Sequence, residues 1–146
     1  MVIVDTNTWG PVFDCGSAQH PEFAAVRSYI LATKASMAWG GSHYIKELRK
    51  AAKYLGIHLE LTKGGRAIRF KDDAVDAATD EAKSKCQHRD FDDAHLIGLQ
   101  IVSKATIIVS NDQRAYPFLK RKTLYPKHHG RPKIYCKNQH SKLLGK

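Results

Sequence analysis

Acidic residues stop at Asp112, and the rest of the 146-residue chain has none. Ten of the 24 Lys and Arg lie in that acid-free tail, while the first 112 residues balance fourteen bases against fourteen acids. The net charge of +10 therefore belongs to the C-terminal part. Such a block suits a polyanionic partner, because each base placed on a phosphate releases condensed counterions. A solvated tail that serves only solubility is the competing reading.

Other absences narrow the class. Cys15, Cys86 and Cys136 are odd in number, widely spaced and free of any CxxC pair, which argues against a disulfide framework and a zinc ribbon. No run approaches the ~20 apolar residues that span a bilayer, and the N-terminus lacks a basic segment followed by an apolar one. The expectation is a cytoplasmic protein with no membrane partner. Gly64-Gly65 is not followed by Lys-Ser or Lys-Thr, so it reads as a turn and not a phosphate loop. His128, His129, Cys136 and His140 have no regular zinc-ligand spacing.

What is present alternates between two periods. Val2-Ile3-Val4 is a short buried strand that stops at Asp5, followed by turn formers from Thr6 to Pro11. Phe23, Val26, Ile30 and Leu31 predict a helix from Pro21 to about Lys34. A strand is expected at Ser36–Trp39, then the Gly40-Gly41 break, then a helix capped by Ser42 that runs to about Tyr54. Ile57–Leu61 and Arg66–Phe70 flank Gly64-Gly65 as a β-hairpin would. A helix capped by Asp72 and Asp73 precedes a second, almost wholly apolar helix that starts near Asp90. Ala105–Val109 reads as a buried parallel strand ending at Ser110-Asn111-Asp112. A last helix is expected from Gln113 to Lys122, and beyond it an arm with at most one strand around Ile134 and Tyr135. The whole is an α/β three-layer sandwich with a mainly parallel central sheet.

In open parallel sheets ligands bind beyond the carboxyl ends of the strands, where Asp5 and Asp112 both project. Asp93 sits at the start of an otherwise apolar helix, where its charge is tolerable only beside a partner or a cation. Asp90 would share that face, Asp92 would point elsewhere, and Glu47 lies one turn into its helix after the glycine break. Clustered carboxylates without His or Cys suit one or two hard cations, Mg²⁺ or Mn²⁺, and with them phosphodiester hydrolysis. Each acid taken singly has a plainer role, Asp5, Asp90 and Asp112 as caps and Glu47 as a surface helix residue. His95, on the buried helix, reads as a satisfied core histidine or a support for the site.

The set Val2-Ile3-Val4-Asp5-Thr6-Asn7, Ser42 with Glu47-Leu48, Asp93-Ala94-His95-Leu96-Ile97-Gly98-Leu99 and Ile107-Ile108-Val109-Ser110-Asn111-Asp112 resembles the PIN-domain nucleases over residues 1 to about 120. The resemblance implies a metal-dependent endoribonuclease domain over 1–122, with a basic C-terminal extension over 123–146. It also implies metal ligation by Asp5, Glu47, Asp93 and Asp112, with Asp90 as an alternative third ligand, and support from Asn7, Ser110 and Asn111. The implied substrate is single-stranded or loop RNA, cut to leave a 3′ hydroxyl and 5′ phosphate. Arg114, Lys120, Arg121, Lys122, Lys127, Arg131 and Lys133 are the expected RNA contacts. Small members of this family resemble VapC-type toxins, which implies an antitoxin or other regulatory partner, or a homodimer; others act in RNA processing or defence. A non-catalytic RNA-binding scaffold on the same fold and a structure-specific DNA nuclease are the rival readings.

Overall fold

The structure is a computed structural model that describes residues 1–145; Lys146, the end of the basic extension, lies outside the described residues. Five parallel strands form one sheet in the order β3-β2-β1-β4-β5, and helices surround it as a three-layer α/β sandwich. The strands are β1 (Val2–Val4), β2 (Met37–Gly40), β3 (Ala67–Phe70), β4 (Ile107–Val109) and β5 (Lys133–Tyr135). The apolar runs of β1, β2 and β4 are buried throughout, as strands covered on both faces must be. In the register β1 and β4 pair Val2 with Ile107, Ile3 with Ile108 and Val4 with Val109, so Asp5 and Ser110 leave the sheet side by side. Because β2 lies on one side of β1 and β4 on the other, this is also where the order of the chain through the sheet reverses. A crevice at such a point is the usual ligand position in open α/β sheets.

The helices are α1 (Trp9–Phe13), α2 (His20–Ala32), α3 (Ser42–Lys50), α4 (Leu55–Lys63), α5 (Asp72–Ser84), α6 (Ala94–Ser103) and α7 (Tyr116–Leu119). Several depart from the sequence expectation. Thr6–Phe13 is helical, a 3₁₀ turn running into α1, and not a polar loop. Pro11 is tolerated there because the first turn of a helix leaves its N–H groups without intrahelical partners anyway. The hairpin around Gly64-Gly65 does not form: Ile57–Leu61 belongs to α4, and Arg66–Phe70 leads into and forms β3, which pairs in parallel with β2. His58 and Leu61, three residues apart, are the buried face of α4, a helical spacing masked by the strand-like alternation of Ile57, Leu59 and Leu61 with His58 and Glu60.

The α3 start is held by tertiary contacts, not by Ser42 as a cap. Gly40 and Gly41 have φ of +140° and +91°, and a Cβ on Gly40 would collide with the Phe70 carbonyl, so this step requires glycine. Ser42 is the first helical residue. Asp76 accepts its backbone N–H at 2.8 Å and its hydroxyl at 2.6 Å, while Asp72 accepts the Gly41 N–H at 3.0 Å. The helix ends at Lys50, short of Tyr54, where Ala51 leaves helical conformation.

The second helix of the pair begins at Ala94, four residues later than Asp90. His88–Phe91 instead closes a turn, with the Phe91 N–H on the His88 carbonyl at 3.0 Å, and Phe91 stacks on Phe118 at 5.1 Å. That packing draws the preceding residues out of the helix. α5 and α6 then pack closely, because Gly98 faces Thr79 where any Cβ would clash. The segment expected as an arm supplies β5, whose Ile134 and Tyr135 are buried, and α7 is only four residues long. No helix among the described residues is long and apolar enough to cross a membrane.

Candidate functional site

The register that sets Asp5 beside Ser110 also bonds them: the Ser110 hydroxyl donates to Asp5 Oδ2 at 2.9 Å and accepts the Asp112 N–H at 3.1 Å. Tyr116 fixes the same loop from behind, its hydroxyl donating to the Ser110 carbonyl at 2.6 Å. Asp5 is only 4% exposed. Burial pushes its pKa up to about 6, against the Ser110 hydrogen bond and with help from the charges of Glu47 and Asp112.

Asp93 stands at the N-cap of α6, and one of its oxygens is buried without a hydrogen-bond partner. Its pKa is raised to about 8, first by burial and then by the charges of Asp5, Asp92 and Asp112. Carboxylate oxygens of Asp92, Asp93 and Asp112 lie within 4.8 Å of one another. Asp92 therefore does not point away, as a continuous helix from Asp90 would require; the helix starts after it, and the irregular chain turns both carboxylates to the same place. Asp90 stays outside this group, its oxygen 3.9 Å from His88 Nδ1.

Glu47 completes the rim from α3. Thr6 donates to its Oε2, and His43, one turn earlier on the same helix, meets its Oε1 at 2.8 Å. Burial would raise the Glu47 pKa, but these two hydrogen bonds hold it below the usual range. His43 in turn stacks on His95, with ring centroids 3.9 Å apart and planes 12° from parallel. His95 is buried, but neither of its nitrogens has a partner, so it is not a satisfied core histidine. Burial holds its pKa down at about 4.

Asp5 thus feels the charges of Glu47 and Asp112, and Asp93 those of Asp5, Asp92 and Asp112. Sequence reasoning set Asp92 aside, because a helix from Asp90 would turn it away, and missed His43, for which the four-residue spacing to Glu47 was a signal. Of the supporting residues, Ser110 braces Asp5, Asn111 donates to Gln19 at 3.0 Å, and Asn7 is exposed.

Can these residues hold a hard divalent cation? The donors around Asp93 are all oxygens, one of them buried and unpartnered, and several carboxylates share a space where they cannot all ionise cheaply. The nearest base is Arg114, whose Nε is 3.5 Å from Asp112. A Mg²⁺ or Mn²⁺ ion fits that donor set.

The expected RNA contacts divide into groups. Lys120, Arg131 and Lys133 line one groove of about 540 Å³ with Tyr116 and His140, which connects through Tyr116 to the Ser110 loop. Arg114 is drawn to Asp112, Arg121 lies over the Phe118 ring at 5.3 Å, and Lys122 and Lys127 are exposed elsewhere. No family model, curated protein or solved structure matches the chain.

Proposed function

We propose that this chain is a metal-dependent endoribonuclease of the PIN type, hydrolysing phosphodiester bonds in single-stranded or loop RNA. The observation that carries the reading is the carboxylate group at the carboxyl ends of β1 and β4, where Asp92, Asp93 and Asp112 lie in reach of one ion and Asp5 is bonded to the Ser110 loop. Asp5, Asp93 and Asp112, with Asp92 beside them, are the residues that would hold Mg²⁺ or Mn²⁺, and Glu47 faces the same space from α3. Such ions, when bound, would polarise the phosphodiester and its attacking water and offset the charge that develops on phosphate.

The chain's own residues supply the rest. Ser110 and Tyr116 fix the loop that carries Asp112, so that its carboxylate is held relative to Asp5. Thr6 and His43 orient Glu47 and keep it ionised. The groove lined by Lys120, Arg131 and Lys133 would take backbone phosphates, and Tyr116 at its inner end offers a ring against which a base can stack.

The test is incubation of the purified protein with a labelled structured RNA and a matching DNA, in Mg²⁺, Mn²⁺ or EDTA, beside Asp112→Asn. Cation-dependent cutting of RNA that the variant loses is the expected result. Binding of RNA without cutting under any cation would favour the scaffold reading, and cutting of DNA alone would favour the DNA nuclease.

A further inference from the structure

Beside the carboxylates lies a second group of different chemistry. A nitrogen of His43, an oxygen of Glu47 and a nitrogen of His95 lie within 4.8 Å of one another. His43 and Glu47 project from one face of α3, and His95 comes from the first turn of α6. His95 is 4% exposed and both ring nitrogens are buried without a partner. Buried polar atoms are nearly always paired, and an apolar side chain at this position would carry no such cost. An imidazole left this way, in reach of another imidazole and a carboxylate, is a ligand-binding group.

We infer that His43, Glu47 and His95 form a second divalent-metal site, one that takes a borderline transition ion such as Zn²⁺ or Co²⁺ in preference to Mg²⁺. Imidazole nitrogen selects such ions, whereas the carboxylates around Asp93 select hard ones. Two histidines and one carboxylate leave coordination positions open, the pattern of sites that act on a substrate and not of closed structural ones. His95 is fixed by burial, while His43, with its side chain 42% exposed, has room to turn its ring out of the stack and onto the ion. The hydrogen bond between His43 Nε2 and Glu47, at 2.8 Å, is what the ion would displace. The inference goes beyond the nuclease reading and shares with it Glu47 and His43, whose contact orients Glu47 there when no ion is bound.

The test is a Co²⁺ titration of the full chain in excess Mg²⁺, read by visible absorption and by competition with Zn²⁺. One Co²⁺ per chain should bind with the spectrum of a nitrogen-ligated ion despite the Mg²⁺. His43→Ala and His95→Phe should each weaken it at least about tenfold, since even residues that only support a metal ligand are worth that much. Asp112→Asn should change the Co²⁺ affinity by no more than about threefold. Co²⁺ displaced by Mg²⁺, an oxygen-only spectrum, or affinity unchanged by the histidine variants would overturn the site and leave His95 a hydrated imidazole. Should His95→Phe not fold, the half-exposed His43→Ala decides alone. A chain that binds Co²⁺ through these histidines yet cuts no RNA would retain this site and lose the nuclease reading; the reverse result would do the opposite.

Discussion

Two parts of the same sheet end treat their polar atoms in opposite ways. Behind β1, the Tyr44 hydroxyl donates to the Val4 carbonyl at 2.7 Å, and Trp9 Nε1 lies 3.3 Å from both that carbonyl and the Tyr44 hydroxyl. Both side chains are almost fully buried and both polar atoms are paired. One residue further along the chain, Asp5 begins a region where carboxylates crowd together, an oxygen of Asp93 is unpartnered and both nitrogens of His95 are too. The first arrangement stabilises the fold; the second costs stability. The chain pairs its polar atoms at Tyr44 and leaves them unpaired at Asp93 and His95, and also at His58, whose ring packs against Trp9; the proposed ions would offset that cost at Asp93 and His95.

The sharpest way to break this contrast is to remove one charge and keep its shape. Asp5→Asn and Asp112→Asn should each lower cation-dependent RNA cleavage at least about a hundredfold, because a catalytic cation contributes several kcal/mol to transition-state stabilisation. Circular dichroism and melting should show an intact fold. Undiminished cleavage by either pure variant would remove that acid from the site.

The paired region should respond in the reverse sense. Tyr44→Phe deletes the donor to the Val4 carbonyl at a fully buried position and should cost about 1–3 kcal/mol in urea unfolding. A variant as stable as the parent would mean that Trp9 satisfies this carbonyl unaided.

A smaller effect of opposite sign is expected at Asp93. In EDTA the pKa of Asp5, about 6, and that of Asp93, about 8, both lie above the ordinary 3.8. The folded chain then binds more protons than the unfolded one between those values, so this contribution to stability is full below about 4 and is lost as pH rises towards 8. Asp93→Asn should therefore stabilise the EDTA-treated protein at pH 8 by about 1 kcal/mol, or about 3 °C, after allowance for solvent screening, and leave it unchanged at pH 4. Added Mn²⁺ should raise the parent's melting temperature more at pH 8 than at pH 5. A melting temperature independent of pH over this range would show that burial and the neighbouring charges do not hold these carboxyl groups protonated.

How much of this was legible beforehand follows from which forces act locally. The runs before Asp5 and Asp112 announce buried strands that stop at a polar residue, and parallel pairing then sets the two stops side by side. The apolar length of α6 was equally plain. Residues 57–61 were not, because a run of five cannot separate a strand from a helix. Nor was the cap of α3, since Asp76 lies 34 residues from Ser42 and reaches it only once α5 is in place. Asp92 joined the site for a similar reason: the stacking of Phe91 on Phe118 moved the helix start, and with it the direction of every side chain before Ala94.

The smallest effect concerns the ground outside both regions, where the basic residues lie. Truncating the tail would test nothing cleanly, because it removes β5 and its buried Ile134 and Tyr135. Lys120 and Lys133 are exposed in the groove that leads to Tyr116, and although Lys133 opens β5 its pairing with β4 is made by the backbone, which a Gln side chain leaves in place. Lys120→Gln with Lys133→Gln should weaken binding of a single-stranded RNA severalfold and reduce the slope of log affinity against log salt by about 1.4, at about 0.7 per phosphate contact. Lys53→Gln with Lys63→Gln removes the same charge outside the groove. If both pairs of substitutions lower the affinity equally, with no difference in slope, the positive charge attracts RNA as a diffuse field and the groove is not its track.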